Sequence, residues 1–181
     1  MKTFFGALII LAILFAGYFL YTGQATEPDG GKTYANASYG ISFAYPDTYV
    51  LEEREVGNAE RYHFAITLMD RIASENIPQN GEGPTSITID IFQNNLDKLS
   101  TEAWVKGNSN SNFKLSADGL LTSTTVAGRE ALHYTWDGLY RGESTVFAHK
   151  DNIVMLSVTY LSPTDTIVSN FANVLASFQS H

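Results

Sequence analysis

The sequence predicts an α+β domain, a central antiparallel β-sheet packed against helices in an αβα sandwich, preceded by one N-terminal transmembrane helix. Three observations predict it. Runs with strand-like alternation follow one another through short turn signals, an amphipathic stripe closes the chain, and an uncharged apolar run opens it. Neighbouring strands joined by short turns must be antiparallel, because a parallel pair needs a long crossover. A helix with one apolar stripe must bury it, and a sheet face is the surface at hand.

The apolar run Phe4 to Tyr21 is eighteen residues without charge, amide or proline. As a helix it reaches roughly 27 Å, close to the ~30 Å hydrocarbon thickness of a bilayer. Lys2 precedes it and Glu27 and Asp29 follow it, so the positive-inside rule puts the N-terminus in the cytoplasm and the remainder outside. Residues 1–23 are therefore expected to anchor the chain in the cell membrane as a single pass. Gly23 and Ala25 offer a small-x-small cleavage site, which keeps a cleaved signal peptide as the alternative. Residues 24–38, with Pro28, Gly30 and Gly31, lack periodicity and read as a tether. Residues 39–181 then form the globular domain.

Ile41, Phe43 and Tyr45 share one face of a first strand, stopped by Pro46-Asp47. Tyr49 to Glu55 reads as a short strand, and Tyr62, Phe64, Ile66 and Leu68 alternate cleanly along the next. Residues 73–85, rich in Pro and Gly, read as a loop, and Ile87, Ile89 and Ile91 mark a further strand. Asn95 to Gly107 reads as a helix, with Ser100 near its middle and Gly107 as its stop. Residues 108–112 read as a polar loop. Four strands follow, over 120–126, 130–136, 144–150 and 153–160, with Asp151-Asn152 as a hairpin signal. Ser162-Pro163-Thr164-Asp165 then predicts a helix start, with Ser162 as cap. Ile167, Val168, Phe171, Val174, Leu175 and Phe178 form its apolar stripe, and Asn170 falls on the solvated side.

Tyr-Gly-Ile-Ser-Phe-Ala-Tyr-Pro at 39–46 resembles the opening strand of the PsbP-like superfamily. The segment Val126 to Ala131, the hairpin Phe147 to Tyr160 and the helix end Phe171 to Phe178 are also similar, so the likeness runs from Tyr39 to Gln179. It implies a central antiparallel sheet sandwiched by helices. It also implies a non-enzymatic accessory or binding domain, the role of most members.

Composition excludes several classes. The net charge is −8, and an acidic surface repels phosphate backbones, so nucleic acid is not an expected partner. The chain has no cysteine, which removes disulfides, thiolate metal sites and Cys nucleophiles. Gly-x-Ser-x-Gly, phosphate-loop, dinucleotide and His-Glu-x-x-His motifs are all absent, so neither an enzyme nor a cofactor is expected. His63, Asp90 and His133 fall on the less apolar faces of their strands and are the only weak candidates for a metal site. Trp136 reads as core, while Trp104 is open to core or groove, and His181 is terminal and expected to be unstructured. The functional expectation is a non-catalytic extracytoplasmic domain engaging a cell-envelope protein. The alternative is a small-molecule or metal-binding module, with a hydrolase third.

Overall fold

The computed structural model of the protein describes residues 31–181, apart from 59, 60 and 80. The expected anchor and most of the expected tether lie outside the described residues. Among the described residues no helix is long and apolar enough to cross a membrane.

The strands are β1 (Gly31–Asn36), β2 (Ile41–Pro46), β3 (Tyr49–Asn58), β4 (Arg61–Asp70), β5 (Ile87–Gln93), β6 (Thr122–Val126), β7 (Arg129–Asp137), β8 (Arg141–His149), β9 (Asn152–Tyr160) and β10 (Gln179–Ser180). The helices are α1 (Arg71–Glu75), α2 (Thr101–Gly107) and α3 (Thr166–Ser177). A seven-stranded sheet runs β3-β4-β5-β9-β8-β7-β6, and a three-stranded sheet runs β1-β2-β10. Every pairing is antiparallel. The α+β prediction holds.

Alternation along the large sheet sorts its side chains onto two faces. On the first face Phe64, Ile66, Leu68, Ile87, Ile89, Ile91, Val154, Leu156 and Val158 join one apolar core with Ile41 and Phe43 of β2 and with Ile167, Phe171, Val174 and Phe178 from the closing helix. On the second face Phe92, Tyr134, Val146, Ile153 and Met155 form a smaller core with Trp104 and Val105 of α2. Trp104 is therefore core.

Several boundaries differ from the sequence reading. Residues 31–36, assigned to the tether, form β1, so the domain begins before residue 39. Pairing with β2 supplies what periodicity did not: Tyr34 stacks on Phe43 at 5.1 Å, and its hydroxyl donates to Glu53. The segment expected as loop from 73 begins inside α1, where Asp70 caps by accepting from the Ala73 N–H at 3.0 Å. The helix expected from Asn95 starts at Thr101. The Asn94 side chain grips Leu99 through both its N–H and its C=O, closing the preceding loop, and Ser100 is the cap rather than a middle residue. At the closing helix Asp165 holds the N-cap position, not Ser162, and its carboxylate turns back to accept from the Leu161 and Ser162 N–H groups. The β8–β9 turn is Lys150-Asp151, with Lys150 in the left-handed region at φ 54. His181 is tied down by its N–H, which donates to Gly40 O at 2.8 Å.

His149 stands at the top of β8, 2% exposed. Its Nε2 lies 3.0 Å from Tyr39 O, while Nδ1 is buried without a partner. Donation to that carbonyl fixes the neutral tautomer with hydrogen on Nε2. Burial pushes its pKa below the usual 6.5, and the neighbouring charges of Arg129, Lys150 and His181 act in the same direction.

Phe171 is 1% exposed at the centre of the helix–sheet contact, so Phe171→Ala should cost ~3–5 kcal/mol in urea melts, transfer and cavity terms together. Asn170 is not free on the solvated side, since its Nδ2 donates to Tyr49 Oη at 3.0 Å. Asn170→Ala should therefore cost ~0.5–1.5 kcal/mol rather than nothing, and a Phe171→Ala midpoint equal to that of wild type would refute the seating of the helix. For His149, the unfolded chain takes up the proton more readily than the folded one. Its contribution is complete above about pH 6.5 and is lost as the pH falls below that value. Wild type should lose more stability between pH 7.5 and 5 than His149→Gln does; parallel losses would exclude His149 as the titrating group.

Candidate functional site

The second face of the large sheet is roofed at one end only. Along β5, Ile87, Ile89 and Ile91 face the main core, which forces Thr88, Asp90 and Phe92 to the other side. The register sets Phe92 beside His63, Asp90 beside Met155, and Thr88 beside Ser157. Over the Phe92 end lies α2, anchored by Trp104 at 3% and Val105 at 0% exposure. Among the described residues no helix lies over the Thr88 end, and a polar cleft opens.

The cleft has two adjoining lobes. One, of about 330 Å³, has Thr88, Asp90, Ser157 and Thr159 on its floor and Ser109, Asn110 and Asn112 on its rim. The other, of about 390 Å³, runs toward Arg61, Asp97 and Leu99. His63, Phe92 and Asn110 line both.

At the junction His63 Nε2 meets Asp90 Oδ1 at 2.7 Å. The imidazole stacks on Phe92 at 4.1 Å, and Phe92 leans on Trp104 at 4.8 Å. The ring is thus held by a hydrogen bond on one edge and an aromatic face beneath. Asp90 is 9% exposed, and burial at this level demands a partner, which the imidazole supplies.

The rim is also built. Buried Ser111 puts its hydroxyl 2.6 Å from Val105 O and 2.7 Å from Asn108 O. Tyr134 donates its phenol to Ser111 O at 2.5 Å from within the smaller core, and burial pushes that phenol up to about 12. The turn bearing Asn110 and Asn112 therefore rests on buried bonds although its own side chains face outward. Trp136 forms a side wall. A Cβ on Gly142 would lie 2.3 Å from its ring, so only glycine lets the indole lie on the β8 backbone. Its Nε1 donates to Ser144 Oγ at 3.0 Å, and Ser144 shares a hydrogen bond with Ser157 at 2.8 Å. At the open end Tyr140 donates to Gly83 O at 2.8 Å, pinning the long β4–β5 connection beside the cleft.

Of the three residues weighed as metal ligands, the structure brings together His63 and Asp90 and separates His133. In β7, His133 pairs with Thr145 and shares its face with Ala131, on the main-core side of the sheet. Its Nδ1 lies 3.3 Å from Thr145 Oγ1 and its Nε2 3.9 Å from Glu143. Pairing register and period-two alternation place His63 and His133 on opposite sides of the sheet, so the less apolar faces of their strands are not one face. Among the described residues no group of three His, Cys, Asp or Glu side chains could hold a metal ion. Asn110, Asn112, Ser157 and Thr88 were not singled out in the sequence. The polar run 108–112 is the one visible signal of the two asparagines, and it reads equally well as an ordinary loop.

The arrangement can orient a hydrogen-bonding ligand. Within the cleft the Ser144 and Ser157 hydroxyls bond to each other and to Trp136 rather than to the His63 imidazole.

No family model and no curated protein matches the chain. Among solved structures it is similar to cyanobacterial PsbP (CyanoP) from Synechocystis sp. PCC 6803, with a TM-score of 0.56 and 12% identity, over 87% of this chain and 96% of that one. A crystal structure from Bacteroides thetaiotaomicron aligns at a TM-score of 0.49 and 12% identity, over 84% of this chain and 49% of that one. The first likeness shows a PsbP-like fold.

Proposed function

We propose that this PsbP-like domain is a non-catalytic binding module, tethered outside the cell membrane by the apolar segment Phe4 to Tyr21, whose working surface is the cleft at His63 and Asp90. One observation carries the reading: one face of the large sheet is sealed by the closing helix and the small sheet, while the other is roofed by α2 at one end and leaves a polar cleft at the other. A concave site with a few convergent polar groups is the usual form of a ligand pocket. A protein interface would more naturally present an aromatic and apolar centre. Of the two binding expectations, the cleft therefore favours a small ligand over a broad protein partner. The paired serines, engaged away from the imidazole, support binding without bond cleavage.

Two measurements test the proposal. Alkaline phosphatase fused after His181 should be active in an export-competent bacterial host and should sediment with membranes; a cytosolic, inactive fusion would defeat the tethered, extracytoplasmic part. The full chain, screened by thermal melting against a library of envelope metabolites, should gain melting temperature with the concentration of its ligand. That gain should vanish in Asn110→Ala, whose exposed side chain lines both lobes. A screen without any Asn110-dependent shift would sink the binding part.

A further inference from the structure

Several polar groups of the cleft are not used by the protein. Asn110 and Asn112 make no side-chain hydrogen bond within the described residues, and neither does the Thr88 hydroxyl. Asp90 gives Oδ1 to His63, and its Oδ2 has no partner among the described residues. All four residues line the same lobe. Together they offer amide donors, amide and carboxylate acceptors, and a hydroxyl that can do either. An apolar ligand would strip water from these groups and return nothing.

Charge narrows the choice. Among the described residues no Lys or Arg lines the lobe that holds Asp90, Arg61 of the adjoining lobe is paired with Asp97 at 2.7 Å, and the whole chain carries −8, so an anion beside Asp90 meets an unfavourable field. Asp90 is the one carboxylate among the described residues lining this lobe, and with Oδ1 held by His63 it leaves a cation a single carboxylate oxygen. The ligand that fits is uncharged. The edges of Phe92 and Trp136, 6% and 9% exposed, add apolar surface beside the polar groups, which suits a molecule carrying both hydroxyls and C–H groups. Two adjoining lobes of about 330 and 390 Å³ give room for more than one ring.

We infer that the cleft binds a neutral polyhydroxylated ligand, a short saccharide, with its hydroxyls between Asp90, Thr88 and the amides of Asn110 and Asn112 and its C–H face toward Phe92 and Trp136. The inference rests on the binding reading above and names its ligand class.

The test is isothermal titration calorimetry on the full chain in a sugar-free detergent. The probes are maltotriose, cellotriose and triacetylchitotriose, with trialanine, putrescine and inorganic phosphate as comparisons. At least one trisaccharide should bind at one site per chain, and Asn110→Ala should weaken it at least tenfold. Asp90→Asn should weaken it as well. Because Asp90 also holds His63, the exposed Asn110 is the deciding variant. Three silent trisaccharides, or a trisaccharide bound equally by Asn110→Ala, overturn the saccharide inference. Binding of trialanine, putrescine or phosphate that is lost in Asn110→Ala, with the trisaccharides silent, overturns the ligand class while leaving the binding module standing. The binding module falls separately, on the metabolite screen.

Discussion

Ile89 and Asp90 are neighbours in the chain and lie on opposite sides of the central sheet, and much of the molecule depends on that alternation. The strand β5 is central, hydrogen-bonded to β4 on one side and β9 on the other. Its Ile residues are 0–1% exposed within the main core. A register slip of one residue would carry Thr88 and Asp90 into that core and three isoleucines out of it, at a cost of several kcal/mol in lost burial alone. The same restraint that builds the core thus delivers Thr88, Asp90 and Phe92 to the opposite face as a fixed set.

What happens on that opposite face is decided by how much covers it. The closing helix and the small sheet cover the first face, and Phe43, Phe147 and Phe178 pack against one another where they meet, with ring centroids 5.9 and 6.0 Å apart. On the second face α2 has only seven residues, about 10 Å of helix. It is fixed by short-range bonds at its two ends, from Ser100 and from Ser111, and by Trp104 beneath it. A helix of that length roofs Phe92, Val146 and Ile153 and stops. The cleft is the part of the face it does not reach.

The period-two strands and the apolar stripe of the closing helix were legible because each is a local pattern enforced by burial. The strand β1 was not, since its one large apolar residue, Tyr34, gains its place from β2 and Glu53 rather than from any repeat of its own. The late start of α2 was hidden for a similar reason: Asn94 and Leu99 close a loop that competes with helix over the same residues. At the site, His63 and Asp90 could be paired in thought because both stood on polar faces of strands, yet polarity alone does not say which side of a sheet a face is on. Register does. It joined His63 to Asp90 and sent His133 to the far side, beside Thr145 and Glu143. The contributions of Asn110 and Asn112 arise from a turn held by Tyr134 and Ser111, a contact between residues 23 apart in the chain, and nothing local announces it.

The His63–Asp90 pair also bears on why the face stays open. A carboxylate and an imidazole removed from water recover most of that cost from each other, and well-packed apolar side chains in their place would be about as stabilising. Stability therefore gives little reason for a polar pair at this position, and still less for unpaired amides and a free hydroxyl arranged around it. Each of those groups is satisfied by water when the cleft is empty. A ligand that replaces the water without losing its hydrogen bonds keeps that balance and adds contact with Phe92 and Trp136. The site is then held ready by the fold: the imidazole is fixed by Asp90 and Phe92, the indole by Gly142 and Ser144, and the rim by Tyr134. Little ordering remains to oppose binding, so even a weakly apolar, hydroxyl-rich molecule can be retained there.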